Sequence, residues 1–313
     1  MVKSEVIKNG NTSKSIWKRI RKCWQLYLFI LPALLYILLF CYKPMYGILI
    51  AFKDFSIRKG VWNSPWMGFA NFERLFNSYW FPIALKNTLT ISFLDLFLGF
   101  PLGVILALMF NEVKSIRYRS IVQTVSYAPH FISTVVMCGI TIMMLSPNNG
   151  IINKFIQIMG FEPIFFMQHA NLFKWVYSLS GVWQGVGWGS IIYFSALSSV
   201  DKSLLEAAEI DGATRMQRIR YINIPTITPT IAITFILNCG RVLSVGSEKA
   251  LLLQTDTNLY GSEILSTYVY KVGIEQTQYS FSTAAGLFNT VVNCIMLFTV
   301  NQISRKLTDT GLI

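Results

Sequence analysis

The chain has 313 residues, of which 53% are hydrophobic and 13% charged, and its mean hydropathy is +0.48. A soluble domain carries about 25% charged residues, so an ordinary soluble globule, a disordered chain and a coiled coil are excluded, and lipid is the solvent that can hide the apolar excess. The net charge of +12 does not mark a nucleic-acid binder, because the 27 Lys and Arg are spread thinly between apolar runs instead of forming one dense face; basic cytoplasmic loops and anionic lipid headgroups account for such an excess.

Residues 1–23 form a basic tail. A signal peptide also opens on positive charge, but the apolar run that follows is long and no A-x-A-like site ends it, so an uncleaved first helix is expected. A spanning helix needs about 20 apolar residues. Six stretches qualify, at about 24–43, 86–110, 121–145, 172–199, 224–245 and 281–303. The predicted fold class is therefore all-α integral membrane, with a six-helix domain over 24–303 and a second tail at 304–313. The fourth stretch carries Gly181, Gly185, Gly187 and Gly189. Small residues let helices approach closely, so this helix is expected to face other helices.

Basic residues set the orientation. With the N-terminus inside, the cytoplasmic pieces are 1–23, 111–120, 200–223 and 304–313. They hold sixteen of the 27 Lys and Arg on a small part of the chain, which favours N-in and C-in. The first outer loop, about 44–85, carries Trp62, Trp66 and Trp80; such aromatics suit a membrane–water interface or a partner. The acids of the last outer loop, Glu248, Asp256, Glu263 and Glu275, are expected to be solvated or to meet a partner protein. No internal repeat is evident, which counts against an inverted-repeat secondary transporter. The five cysteines sit in or beside apolar stretches without C-x-x-C spacing, and the two histidines, His130 and His169, are far apart. Neither set suggests a disulfide, a metal site or a triad.

The segment between the fourth and fifth stretches, LSSVDKSLLEAAEIDGATRMQRIRYINIPTITPT, reads as helix, turn, helix. Leu204, Leu205, Ala208, Met216 and Ile219 fall at helical spacings around Asp211-Gly212. Gly212 can take the turn geometry, and Asp211 can cap the helix after it. Pro225 and Pro229 mark the start of the fifth span, where a missing amide donor is tolerated. By physics alone this is either a docking loop, with Arg215, Arg218 and Arg220 beside an apolar stripe, or an amphipathic helix lying on the membrane.

The residue pattern separates the two. Glu206-Ala207-Ala208, Asp211-Gly212-Ala213, Ile222, Ile224-Pro225 and Pro229 resemble the EAA loop of binding-protein-dependent ABC importer permeases. The segments LPALLYILLF, KPMYGILIAFKDF, GFANFERLF, NTLTISFLDLFLGFPLGVILALMFNEV, QTVSYAPHFIS and STYVYKVGIEQTQYSFSTAAGLFNTVVN resemble the LplB-like branch of polysaccharide and oligosaccharide permeases. Together these cover the chain from about residue 25 onward. The resemblance implies a type I ABC importer permease fold in the plasma membrane of a bacterium, Gram-positive by the habit of that branch. It implies a second homologous permease, two ATPase subunits and an extracellular solute-binding lipoprotein as partners, and an oligosaccharide as cargo. The chain itself would do no chemistry and hold no cofactor, with ATP and Mg bound by the ATPase. The absence of a G-x-x-x-x-G-K-[ST] loop agrees with that division of labour.

The resemblance also assigns Glu206, Ala207, Ala208, Asp211, Gly212, Ala213 and Arg215 to coupling with the ATPase. Glu206 would accept hydrogen bonds or an ion pair, the alanines would allow close approach, and Gly212 the turn. For the sugar path, polar and aromatic residues inside spans are the candidates, since such groups are costly in lipid and face protein or a water-filled cavity. They are Trp183, Gln184, Trp188 and Tyr193, then Asn238 and Arg241, then Asn289 and Asn293. Asn238 and Arg241 share a helix face, as do Asn289 and Asn293, and helix–helix hydrogen bonding is the competing role. Arg241 would favour an acidic sugar. Asp95, alone in the second span, is read as structural. A proton- or sodium-coupled secondary sugar transporter is the alternative function, and it would need paired intramembrane acids.

Overall fold

The computed structural model describes residues 22–308 and Gly311. The basic tail up to Arg21 and most of the C-terminal tail lie outside the described residues. Among the described residues the fold is all-helical, with one isolated bridge between Lys53 and Trp66.

The first span begins as α1 (Trp24–Tyr36) and continues through a π turn at Ile37–Tyr42 and a tighter 3-10 stretch to Phe52. No residue from Trp24 to Tyr42 is buried within the chain, so this apolar rod is left to lipid or another subunit on every side. The aromatic loop after it folds back. Lys53 donates to the Val61 and Trp62 carbonyls at 2.8 and 3.3 Å, and Asn71 donates to the Ala51 and Lys53 carbonyls at 2.9 and 3.2 Å. Trp62 stacks on Tyr46 and Trp66 on Phe52, and both tryptophans stay exposed.

The second span runs from Trp80 to Glu112 as α2 (Trp80–Leu94), a π turn at Asp95–Gly99, and α3 (Phe100–Glu112). Such single π turns inside a helix re-aim side chains and concentrate at functional positions.

The third predicted span is not one rod. α4 (Ile116–Tyr127) runs on to Phe131 and meets α5 (Thr134–Met144) at 101°. Pro129 brings no amide donor, Ile132 turns extended, and the Ser133 hydroxyl accepts from the Val136 N–H as the cap of the new helix. Hydropathy averages across such a break.

α6 (Ala170–Leu197) is the central rod and packs most extensively on α3. It has the length of a span, but its glycines, serines and Gln184 dilute its apolar content. Four helices, Trp24–Phe52, Trp80–Glu112, Arg215–Cys239 and Tyr279–Lys306, are long and apolar enough to cross a membrane, and the bent pair makes a fifth.

After α6 come α7 (Lys202–Ile210), α8 (Arg215–Arg218), a π turn at Ile219–Asn223, and α9 (Ile224–Cys239). The fifth span is thus continuous from Arg215 and ends at Cys239, earlier than the predicted 245, because the chain turns over Gly240–Gly246. Pro225 occupies the first turn of α9 and Pro229 lies inside it. α10 (Ser247–Leu253) then folds inward against α5 and α6, α11 (Leu265–Tyr270) packs on α2, and α12 (Tyr279–Thr308) is the sixth stretch. Glu263 corrects the picture of a solvated outer loop. It is 4% exposed, pairs with Lys271 at 2.6 Å, and accepts from Thr267 at 2.7 Å. A buried carboxylate needs such partners.

Three apolar clusters hold the bundle. One joins Leu75, Phe81 and Ala84 to Leu243, Leu265 and Phe281. A second gathers Ile91, Met137, Phe173, Val176 and Tyr177 against Ala250, Leu253 and Ile264. A third gathers Ala107, Tyr193, Leu197 and Ile227. The last two share α6, and the stretch of α6 between them is where packing opens.

Candidate functional site

That opening is a cavity of about 480 Å³. Its walls come from the π turn and α3, from the middle of α6, from the end of α9, and from the turn into α10. Gly181, Gly185 and Gly189 recur every fourth residue and line it on α6, opposite Gly99 and Gly103. Small side chains at that spacing were expected to bring helices together, and only Gly187 does so fully: a Cβ there would sit 2.5 Å from the Ser126 carbonyl carbon. Around Gly185 and Gly189 nothing lies within 4 Å of a Cβ position. Their missing side chains make room.

Four of the eight predicted path residues, Gln184, Tyr193, Asn238 and Arg241, line this cavity. Gln184 donates to the Ile132 carbonyl at the bend, 2.9 Å away, and Asn238 donates to the Thr234 carbonyl at 2.8 Å, so each amide oxygen is left for another donor. Tyr193 is bonded to Thr234 at 3.0 Å. Arg241 has no acidic partner among the described residues. The other four lie elsewhere. Trp188 stacks on His130 at 4.6 Å, and Trp183 is half exposed outside the cavity. Asn293 accepts from the Leu243 N–H and donates to Ser244 and Asn289, which ties α12 to the turn after α9.

Two charged residues join the cavity that the sequence did not place together. Asp95 lines it from the π turn and Lys249 from α10, so the acid read as solitary faces a cation. Lys249 is 9% exposed, donates to the Tyr177 carbonyl at 2.5 Å and sits 4.2 Å from the Tyr177 ring. Ser92 donates to the Val242 carbonyl and Tyr177 to the Gly246 carbonyl, which fixes the turn that delivers Lys249. The run Ala250–Leu253 was the available signal, since Ala250 and Leu253 are fully buried and carry Lys249 inward.

The predicted coupling loop forms a helix, a turn and a helix. Asp201 caps α7 by accepting from the Ser203 N–H at 2.9 Å, and these hydrogen bonds hold its carboxyl below the usual carboxylate range. Gly212 takes φ +78°, and the Ala213 N–H closes onto the Ala208 carbonyl at 2.9 Å, a Schellman-type end. Asp211 does not cap the next helix. It ends α7, and the cap of α8 is Thr214, which forms a reciprocal capping box with Gln217. Arg218 pairs with Glu209 at 3.1 Å across the turn. Glu206, Ala207 and Arg215 point outward, and Ile210, Met216 and Tyr221 are 86%, 71% and 68% exposed. Ala208, Asp211, Gly212, Ala213, Gln217 and Arg218 line a cleft of about 310 Å³ within the loop. This is a partly apolar projection that nothing among the described residues covers.

A family profile described as "Binding-protein-dependent transport system inner membrane component" matches residues 99–309, which contain the loop and all of the cavity lining except Ser92, Asp95 and Leu96. The chain belongs to that family. The permease is 42% identical over 287 residues to Protein LplB of Bacillus subtilis (strain 168), covering 92% of this chain and 90% of that protein. It is 38% identical over 311 residues to the polygalacturonan/rhamnogalacturonan transport system permease protein YteP of the same organism, covering 99% and 97%. Its fold is similar to a chain of a bacterial ABC transporter involved in the import of the acidic polysaccharide alginate, with TM-score 0.86, 41% identity, and coverage of 94% and 99%. A bacterial alginate ABC transporter, in complex with a periplasmic protein bound to an alginate pentasaccharide, gives TM-score 0.86 at 40% identity, covering 95% of this chain and 99% of that one. The permease is thus membrane-embedded and a transport component.

Proposed function

We propose that the permease is one half of the membrane path of an ATP-driven oligosaccharide importer. The observation that carries this reading is the polar, glycine-lined cavity inside an otherwise apolar bundle. Backbone and side-chain polar groups are costly at membrane depth unless they face a cavity or each other, and hydroxyl-rich cargo uses such groups. The names of the relatives support it, since two of them are carbohydrate transport systems.

The full reading has six spans with both termini at the cytoplasmic face, in the plasma membrane of a Gram-positive bacterium. The cargo arrives from an extracellular binding lipoprotein, and a second permease supplies the facing half of the path. The helix–turn–helix loop docks on an ATPase subunit, with Glu206, Ala207 and Arg215 presented to it, and ATP and Mg bind there and not in this chain. Closure of the ATPase pair would move the loop as a lever and so bias the bundle between two states.

Affinity purification from the native membrane tests this. The reading expects an ATPase and a second permease to co-purify. A chain that purifies alone and accumulates sugar in liposomes on an ion gradient would refute it in favour of a secondary transporter.

A further inference from the structure

The charges in the cavity are not balanced. Arg241 and Lys249 face it with Asp95 as the one acid. Lys249 forms no ion pair with that acid within 4.0 Å, the ion pairs among the described residues being Arg218–Glu209 and Lys271–Glu263, although the two charges lie near enough to attract. An ammonium has three donors, and Lys249 spends one on the Tyr177 carbonyl. Across from it, the buried Asp95 Oδ1 makes no hydrogen bond of ordinary geometry, and neither does the Ser178 Oγ, whose hydroxyl lies close enough to act on the Asp95 carboxyl. The slot is built to hold Lys249 in this place: a Cβ on Gly181 would lie 2.9 Å from its Nζ.

Each feature alone has a plain explanation. A water could satisfy Asp95, and Lys249 could merely offset it. Neither accounts for the second cation. Lys249 is buried, whereas Arg241 is exposed on the cavity wall; an unpaired charge out of bulk water is costly, so the buried ammonium, with a second cation lining the same cavity, favours an anion. The fixed carboxylate in the same cavity repels a doubly charged group such as a phosphate. It favours a singly charged one whose neighbouring groups are hydroxyl donors.

We propose that Lys249 and Arg241 are specificity-determining residues that bind the carboxylate of a uronate unit, and that Asp95 accepts from a hydroxyl of the same sugar. This rests on the reading of the chain as an oligosaccharide permease. Binding would draw the free donors of Lys249 toward the sugar and satisfy the orphaned Asp95 oxygen at once.

The test uses the complete importer in proteoliposomes with its own binding protein. The probes are a labelled oligogalacturonide and the same oligomer with its carboxyls reduced to alcohols. Each variant's uptake is divided by the wild type's for the same probe, which cancels the binding protein's preference. Lys249→Met lowers uronide uptake about tenfold or more, the expected loss of a charge-assisted hydrogen bond, and reduced-probe uptake by far less. Lys249→Arg retains most uronide uptake. Gly181→Ala, which displaces the ammonium while keeping its charge, reproduces the selective loss and carries the test if Lys249→Met fails to assemble.

Equal loss of both probes in Lys249→Met, with both restored in Lys249→Met/Asp95→Asn, would overturn the proposal and leave a structural pair. Where the binding protein refuses the reduced probe, restoration of uronide uptake in that double variant overturns it and continued loss supports it. A wild type that carries the reduced probe but no uronide overturns this proposal and leaves the importer reading intact. ATP-dependent uptake of neither probe nor any other oligosaccharide overturns that reading as well.

Discussion

The glycines of α6 make opposite predictions for the same substitution. At Gly187 a Cβ would stand 2.5 Å from the Ser126 carbonyl carbon and 3.2 Å from the Tyr127 nitrogen. Real Cβ atoms do not approach closer than 3.0 Å, the Ser126 carbonyl oxygen stands closer still than its carbon, and all three neighbours are backbone, so α6 and the bent third element must part by about 1 Å. Overpacking of this kind costs about 1–3 kcal/mol. Alanine recovers up to about 1 kcal/mol of helix propensity, which leaves Gly187→Ala destabilised by about 1–2 kcal/mol. At Gly185 nothing lies within 4 Å, so Gly185→Ala keeps the propensity gain of about 0.5–1 kcal/mol and only narrows the cavity. Heat inactivation of the detergent-solubilised complex, followed by size-exclusion recovery at one heating rate, ranks the variants. The expected order is Gly185→Ala above wild type above Gly187→Ala, with Gly185→Ala nevertheless lowering sugar uptake. Equal stability of the two variants, or Gly187→Ala as the more stable, would refute the packing argument.

The helix–turn–helix loop gives a second set. Gly212→Asp and Glu206→Lys should abolish uptake while the chain still inserts, because neither residue is buried in the bundle; normal uptake by both would remove the loop from coupling. Thr214→Ala loses the capping box and about 1 kcal/mol of local helix stability, readable as faster amide exchange over Arg215–Arg218, with Thr214→Ser restoring protection. Asp201 binds its proton more weakly folded than unfolded. Its cap therefore contributes fully above the unfolded carboxylate range and is lost only as pH falls through the lowered folded value, so exchange protection of α7 should not change between pH 7 and pH 5. Lys271→Met strands Glu263 in a buried site and should destabilise the segment from α10 to α11 by about 3 kcal/mol, and adding Glu263→Gln should recover most of it; no loss in the single variant would show that Glu263 is not held by charge.

Elements dictated by local chemistry were legible in the sequence. The helix–turn–helix followed from apolar spacing and one glycine, and its cap was misplaced only because Thr214 with Gln217 outcompetes Asp211 once Gly212 has ended α7. The bend in the third span left two local signs, Pro129 and Ser133, which a hydropathy average hides. The cavity was half legible. Polar residues on α6 and α9 marked their own faces, but Lys249 lies in a stretch whose charges suggest a solvated loop, and it enters the bundle through long-range burial of Ala250 and Leu253. The glycine spacing on α6 had two physical meanings, close approach and empty space, and which one applies depends on neighbours far along the chain.

ATP-driven uptake tests the central claim most directly. The complete complex is reconstituted with ATP sealed inside proteoliposomes and a labelled oligosaccharide, with its binding protein, outside. Accumulation that requires both internal ATP and the binding protein, and persists when ion gradients are collapsed, is the predicted result. Accumulation that follows an ion gradient and ignores ATP would contradict it.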